Sequence, residues 1–183
     1  MSKRSMLVIL MLCLMGVMSE ISMAEKWAVS VKTGEQSVTN LNFFFHDKLS
    51  GNNPSAIRVA QPIQSYQSPT FFGVIMMTDD PLTETSDPNS KLVGRAQGLY
   101  GSAGQQETAL LMAMSFCFTD GAYNGSTISI LGKNPAMNPT RELPVVSGTG
   151  VFRMARGYAI AHTHWADAAT GDAIVAYNVT LFH

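Results

Sequence analysis

From residue 38 onward apolar side chains recur at every second position, in short runs separated by Gly, Pro, Asn and Asp. A two-residue repeat marks strands with one face buried, not helices. The clearest run lies at the C-terminus, where Ala173, Val175, Tyr177, Val179 and Leu181 share one face and Ala176, Asn178 and Thr180 the other. The same pattern predicts strands at Val38 to Phe45, Ile57 to Ile63, Gly73 to Thr78, Leu92 to Tyr100, Leu110 to Phe118, Ser126 to Leu131 and Gly157 to Thr163. That makes about eight strands in one domain. The connectors carry turn chemistry at 50–54, Asp79-Asp80-Pro81, Asp87-Pro88-Asn89, Asn124-Gly125 and Gly148-Thr149-Gly150. Short links without helical crossovers require antiparallel pairing, and closure into a barrel removes sticky edges. A sandwich fits the same pattern. Glycines within one strand, Gly94, Gly98 and Gly101, favour an all-β antiparallel barrel, because they allow bends and close backbone approach.

The beginning of the chain follows another pattern. Lys3 and Arg4 precede an apolar run from Met6 to Met18, and Ser22-Met23-Ala24 has the small-residue form of a cleavage site. Residues 1–24 therefore read as a secretory signal, residues 25–37 as a loose polar arm and residues 38–183 as the barrel domain. The apolar run is shorter than the roughly 18–20 residues of a spanning helix, so no membrane association is expected. Cleavage would remove Cys13 and leave Cys117 alone, so no internal disulfide can brace the secreted chain. Asn124-Gly125-Ser126 and Asn178-Val179-Thr180 have the form of glycosylation sequons. Lys plus Arg is 12 against Asp plus Glu 13, which gives no cationic field for nucleic acid.

Several enzyme classes are excluded by missing motifs. The chain lacks a Walker loop, a dinucleotide fingerprint and a Gly-x-Ser-x-Gly elbow, so no nucleotide cofactor is expected. A single mature cysteine cannot build a thiolate zinc cluster. His162 and His164 share a strand face but have no evident third ligand, so no metal is assigned. Cys117 reads as a buried, unreactive thiol. Asp47 continues the apolar row Leu41, Phe43, Phe45 and is either a loop cap or an acid held against greasy walls. In the second setting the charged form is disfavoured and the carboxyl can donate a proton near neutrality. Arg141, Arg95 and Tyr100 either line a mouth and hold a phenol or carboxylate, or end ordinary strands.

Motif order then adds a resemblance. Phe43-Phe44-Phe45-His46-Asp47, Asp79-Asp80-Pro81-Leu82-Thr83, Val93-Gly94-Arg95-Ala96-Gln97-Gly98-Leu99-Tyr100, Tyr123-Asn124-Gly125-Ser126-Thr127, Arg141-Glu142-Leu143-Pro144-Val145-Val146 and the segment 148–157 resemble the plant dirigent family in order and spacing. The resemblance implies an eight-stranded antiparallel β-barrel of the allene-oxide-cyclase type, with a pocket in its mouth. It also implies secretion to the apoplast, glycosylation at Asn124 and Asn178, a homotrimer and a part in plant defence. Family members bind phenylpropanoid radicals or quinone methides and steer their stereochemistry. An external oxidase or laccase makes the radicals, for instance from coniferyl alcohol, and the dirigent protein needs no cofactor.

Carried across, the pocket acid is Asp47, the pocket tyrosine Tyr100 and the pocket arginine Arg141, with Phe45 and Asn134 against the substrate. Lignan-forming members carry a second acid where this chain has Asn134, and an amide cannot deliver a proton. The first expectation is guidance of phenoxy-radical coupling toward lignans. Its alternative is a dehydratase similar to the pterocarpan synthases, a carbon-oxygen lyase that closes a ring on a hydroxy-isoflavan through a quinone methide. A further alternative is a non-catalytic cell-wall or lignin assembly protein. The loops at Tyr66 to Phe72 and Gln105 to Thr108 are expected to set the hand of the product.

Overall fold

The computed structural model describes residues 36–183. Residues 1–35, with the expected secretory segment 1–24, Cys13 and most of the expected arm 25–37, lie outside the described residues. Nine antiparallel strands follow: β1 (Val38–Asp47), β2 (Ala56–Ala60), β3 (Ile75–Thr83), β4 (Leu92–Ser102), β5 (Leu110–Phe118), β6 (Thr127–Asn134), β7 (Arg141–Thr149), β8 (Arg156–Ala166) and β9 (Ala173–Phe182). They pair in the order β1-β9-β8-β7-β6-β5-β4-β3, and β1 returns to β3 through Phe44–Thr83 and Phe45–Leu82. Eight strands thus close an antiparallel barrel, and β2 lies beside β3 where β1 has ended. Helical content among the described residues is three short 3-10 turns, at Ile63–Gln67, Gly121–Tyr123 and Gly150–Phe152.

Three sequence expectations need correction, each at a proline. The run predicted at Ile57 to Ile63 is the short β2 followed by a 3-10 turn, and it is not one of the eight staves. The missing stave is β7, whose period-two signal is broken by Pro144 although Leu143 and Val145 point inward and are buried. Its pairing with β6 runs from Thr127–Thr149 to Ile130–Val145, and Pro144 then stacks on β6 so closely that a Cβ at Gly132 would lie 2.9 Å from Pro144 Cδ. Asp79-Asp80-Pro81 is no turn either, since β3 runs straight through it. The Asp79 N–H reaches back to Ser55 O, so the missing Pro81 N–H would face the same side. There β1 has left β3 and no ladder bond is lost, which is where a strand tolerates proline.

Side-chain alternation fills the interior. Leu41, Phe43 and Phe45 of β1, Met112, Met114, Phe116 and Phe118 of β5, and Tyr177, Val179 and Leu181 of β9 all point inward and are buried. Phe43 meets Phe116 edge-on at 5.1 Å and stacks on Tyr177 at 5.8 Å, while Phe152 plugs the end against Phe118 at 5.7 Å and Tyr123 at 5.1 Å. Each such pair adds about 0.5–1.5 kcal/mol beyond burial of its area. Gly98 belongs to this packing. Its φ of +151° and the overlap that any Cβ would make with Ala113 O and Met114 leave room for glycine alone. Cys117 falls on the outer face, half-buried, with its Sγ 3.5 Å from Gln97 Oε1, so the expected core thiol is instead a wall residue facing outward.

Candidate functional site

At the end of the barrel where β1, β4, β6 and β8 finish, the aromatic filling stops and a cavity of about 630 Å³ opens. Its floor is Phe45 and Tyr177, and small side chains along β8 and β9, including Thr163, Ala166 and Ala173, give it width. The structure brings Asp47, Tyr100, Arg141, Phe45 and Asn134 to this one chamber, although they come from four different strands.

Asp47 is the last residue of β1 and keeps the inward parity of Phe43 and Phe45. Tyr100, at the end of β4, donates its hydroxyl to Asp47 Oδ2 at 2.7 Å, whereas Asp47 Oδ1 is buried without a protein partner. Burial, together with the charge of Asp80, pushes the Asp47 carboxyl up to about 7 despite the opposing Tyr100 bond. With Oδ2 accepting from Tyr100, Oδ1 is the oxygen free to carry a proton, and a carboxyl raised to about 7 is poised at neutral pH between acid and base. Burial and the Asp47 charge drive the Tyr100 phenol well above its ordinary range, which keeps it a donor. The loop-cap reading of Asp47 is thereby corrected. Asp172, in the β8–β9 turn, caps that loop instead by accepting from Leu49 N at 2.8 Å and Ser50 N at 2.9 Å.

Arg141 opens β7 and is 3% exposed with no carboxylate bound to it. One terminal nitrogen donates to Thr163 Oγ1 at 2.8 Å and Asn138 O at 3.2 Å, and its Nε is buried and unpaired. Asn134, at the end of β6, donates weakly to Met112 Sδ at 3.6 Å and leaves Oδ1 unpaired. Buried polar atoms are almost always satisfied. Of the four such orphan side-chain atoms among the described residues, three belong to Asp47, Asn134 and Arg141, so the chamber offers an acid, an acceptor and a cationic donor to a guest.

Other sequence candidates sit elsewhere. Arg95 is on the outer wall and pairs with Asp79. His162 reaches the cavity rim, where its ring bonds Pro139 O at 3.1 Å. His164 packs edge-on against Phe44 beyond a break in the β8–β9 register, which ends the shared-face argument for the two rings. No group of three His, Cys, Asp or Glu residues that could hold a metal occurs among the described residues. Thr70, Phe71 and Thr108 of the expected selectivity loops line a neighbouring cavity of about 370 Å³, which shares Tyr100 and Leu110 with the first. Asn124 and Asn178 are exposed, one in a turn and the other on the outer face of β9. Sequence reasoning missed Asp80, a fully buried acid, because Pro81 beside it suggested a turn; the parity of Asp80 with Leu82 was the available signal. It also placed Tyr177 on a buried row without seeing that this row ends as the chamber floor.

A closed antiparallel barrel with an apolar, acid-bearing chamber in its mouth is the architecture of a small-molecule binding barrel. The chain belongs to the dirigent family: the family model for dirigent-like protein matches residues 38–182. Dirigent protein 23 of Arabidopsis thaliana is 58% identical over 180 residues, covering 98% of this chain and 96% of that protein. Pterocarpan synthase 1 of Glycine max is 49% identical over 150 residues, covering 81% of each. The solved structure of the pterocarpan synthase dirigent protein GePTS1 superposes with a TM-score of 0.77 at 45% identity, covering 84% of this chain and 88% of that one.

Proposed function

We propose that the protein takes a phenolic, phenylpropanoid-derived alcohol into the mouth chamber, expels its hydroxyl as water and controls the face on which the resulting quinone methide is closed by a neighbouring phenol. The observation that carries this reading is the single chamber carboxyl with one oxygen tied to Tyr100 and the other unpartnered. Asp47 protonates the leaving hydroxyl, the C–O bond breaks and water departs, leaving the quinone methide in its protonated, cationic form with the ring phenol proton retained. The Asp47 carboxylate then takes the proton of the attacking phenol, so the acid is restored and the alcohol has become a ring-closed ether and one water. Arg141 offers Nε to the oxygen of the attacking phenol as that oxygen gives up its proton, and Asn134 Oδ1 accepts from a second hydroxyl. The likeness to pterocarpan synthases supports the choice of a hydroxy-isoflavan as first substrate.

Guidance of radical coupling, with an oxidase or laccase supplying coniferyl alcohol radicals, is the second reading. The two adjoining cavities, about 630 and 370 Å³, favour it to the extent that they offer room for two aromatic units. Incubation with an isoflavanol alone, and separately with coniferyl alcohol plus oxidase, separates the readings by product: pterocarpan from the first, chiral lignan from the second. Neither product would leave a non-catalytic cell-wall assembly role.

Secretion, glycosylation at Asn124 and Asn178 and trimeric assembly belong to the same proposal. Assembly is supported by an apolar band across the outer wall, where Ile57 pairs with Met77, Met77 with Leu99, Leu99 with Ala113 and Ala113 with Leu131. Light scattering on the secreted protein tests it directly.

A further inference from the structure

The interior holds a second carboxyl that the proposed chemistry leaves unused. Asp80 on β3 is fully buried, with both oxygens taken by hydroxyls: Ser55 donates to Oδ1 and Thr78 to Oδ2. Its place follows from the register. β1 and β3 pair at Phe44–Thr83 and Phe45–Leu82, and continuing that ladder sets Asp47 directly across from Asp80. The ladder is not continued, because the chain detours through residues 48–55 before β2 resumes on the same side of β3. Ser55 returns into this gap. Its hydroxyl accepts from Lys48 N at 3.2 Å and lies 3.4 Å from His46 O, while its own N–H reaches Lys48 O at 2.8 Å. The backbone just past Asp47, at Lys48, is therefore tied twice to one serine, and that serine is tied to Asp80.

The geometry points to Asp80 as the positioning residue for Asp47: acting through the Ser55 hydroxyl, it fixes the end of β1 so that the Asp47 carboxyl is held against Tyr100 and toward the chamber. The assignment deepens the reading of Asp47 as the acid and rests on it for its catalytic consequence, though not for its structural one. The link is also electrostatic. A like charge across the sheet disfavours ionisation of Asp47, and burial holds Asp80 itself near 6. The other charged or titratable groups facing Asp47 are Tyr100 from β4, Arg141 from β7, Tyr177 from β9, His162 from β8 and Asp172 from the β8–β9 turn. Arg95, bridged to Asp79 on the outer wall, also draws the Asp80 carboxyl down from a distance, but among the described residues no cation forms a salt bridge with Asp80.

The test uses secreted protein, a racemic isoflavanol and carbon-detected NMR of labelled aspartate, with circular dichroism to establish folding. Asp80→Asn keeps the shape and removes the charge, and it should lower the Asp47 midpoint and the alkaline limit of kcat together by about one pH unit. Ser55→Ala removes the tie, and it should cut kcat about tenfold while KM stays within twofold, since misplacing a reacting group spares binding. Ser55→Thr, which retains the hydroxyl, should recover most of the loss. If Asp80→Asn does not fold, the serine pair still decides. Wild-type kcat and an unmoved Asp47 midpoint in folded variants would overturn the assignment. Full activity of Asp47→Asn alongside a shifted Asp47 midpoint in Asp80→Asn would instead overturn the acid reading and leave the positioning role standing.

Discussion

The two ends of this barrel obey the same alternation and are used in opposite ways. At the closed end the inward positions carry Phe43, Phe116, Phe118 and Phe152, whose rings interlock. At the open end the inward positions of β1, β4, β6 and β7 carry Asp47, Tyr100, Asn134 and Arg141, which line a cavity. One end satisfies its contacts within the protein. The other leaves three buried polar atoms unpaired, a free-energy cost that folding alone does not explain. Preorganised, unpaired groups in a largely apolar chamber are what recognition and proton transfer require, so stability and chemistry have been separated along the barrel axis.

The comparison can be broken most sharply at its chemical end. Asp47→Asn should lower turnover of an isoflavanol about 10²–10⁴-fold, the usual worth of a placed general acid, with circular dichroism unchanged. A folded variant with wild-type turnover would show that the open end works without its acid. At the packed end, Phe116→Ala should cost about 3–5 kcal/mol in denaturant unfolding, while any fraction that remains folded keeps its turnover number. If the loss were catalytic and not structural, the proposed division would be wrong.

The pH dependence sharpens the same contrast. Because the Asp47 pKa is raised to about 7, the carboxyl is protonated below that pH and the rate should fall about tenfold per unit above it. The folded protein then binds more protons than the unfolded chain between about pH 4 and 7, so its melting temperature should decline as pH rises through that window and level off above it. Asp47→Asn should flatten part of that slope, whereas Phe116→Ala should leave its shape intact. Smallest of all, Lys133→Ala on the outer wall breaks an exposed pair with Glu107 and should leave both melting temperature and turnover within error.

How much of this was legible in the sequence depends on what carries the signal. Strand faces such as Leu41, Phe43, Phe45 or Val175, Tyr177, Val179 announce themselves by parity, and the barrel follows from their number and short links. Pro81 and Pro144 defeated the same method, since local punctuation cannot reveal that one faces a gap between strands and the other stacks on a glycine. The placement of Asp47, Tyr100 and Arg141 in one chamber came from the family resemblance; parity alone left Asp47 open between cap and acid. Asp172, Ser55 and Asp80 were invisible because their roles are contacts across 122, 9 and 25 positions of chain, and no periodicity encodes such meetings.

The closure of the barrel also fixes an order of events during synthesis. β1 is the first stave to leave the ribosome, yet most of its length pairs with β9, the last. Ser37 and His183, at the two ends of the domain, exchange backbone hydrogen bonds. At about 5–20 residues per second, the greasy side of the first strand must wait on the order of ten seconds for its partner. Through that interval it stays open to chaperones and to other nascent chains, so the yield of this fold is set by how well its earliest strand is sheltered until its final one is translated.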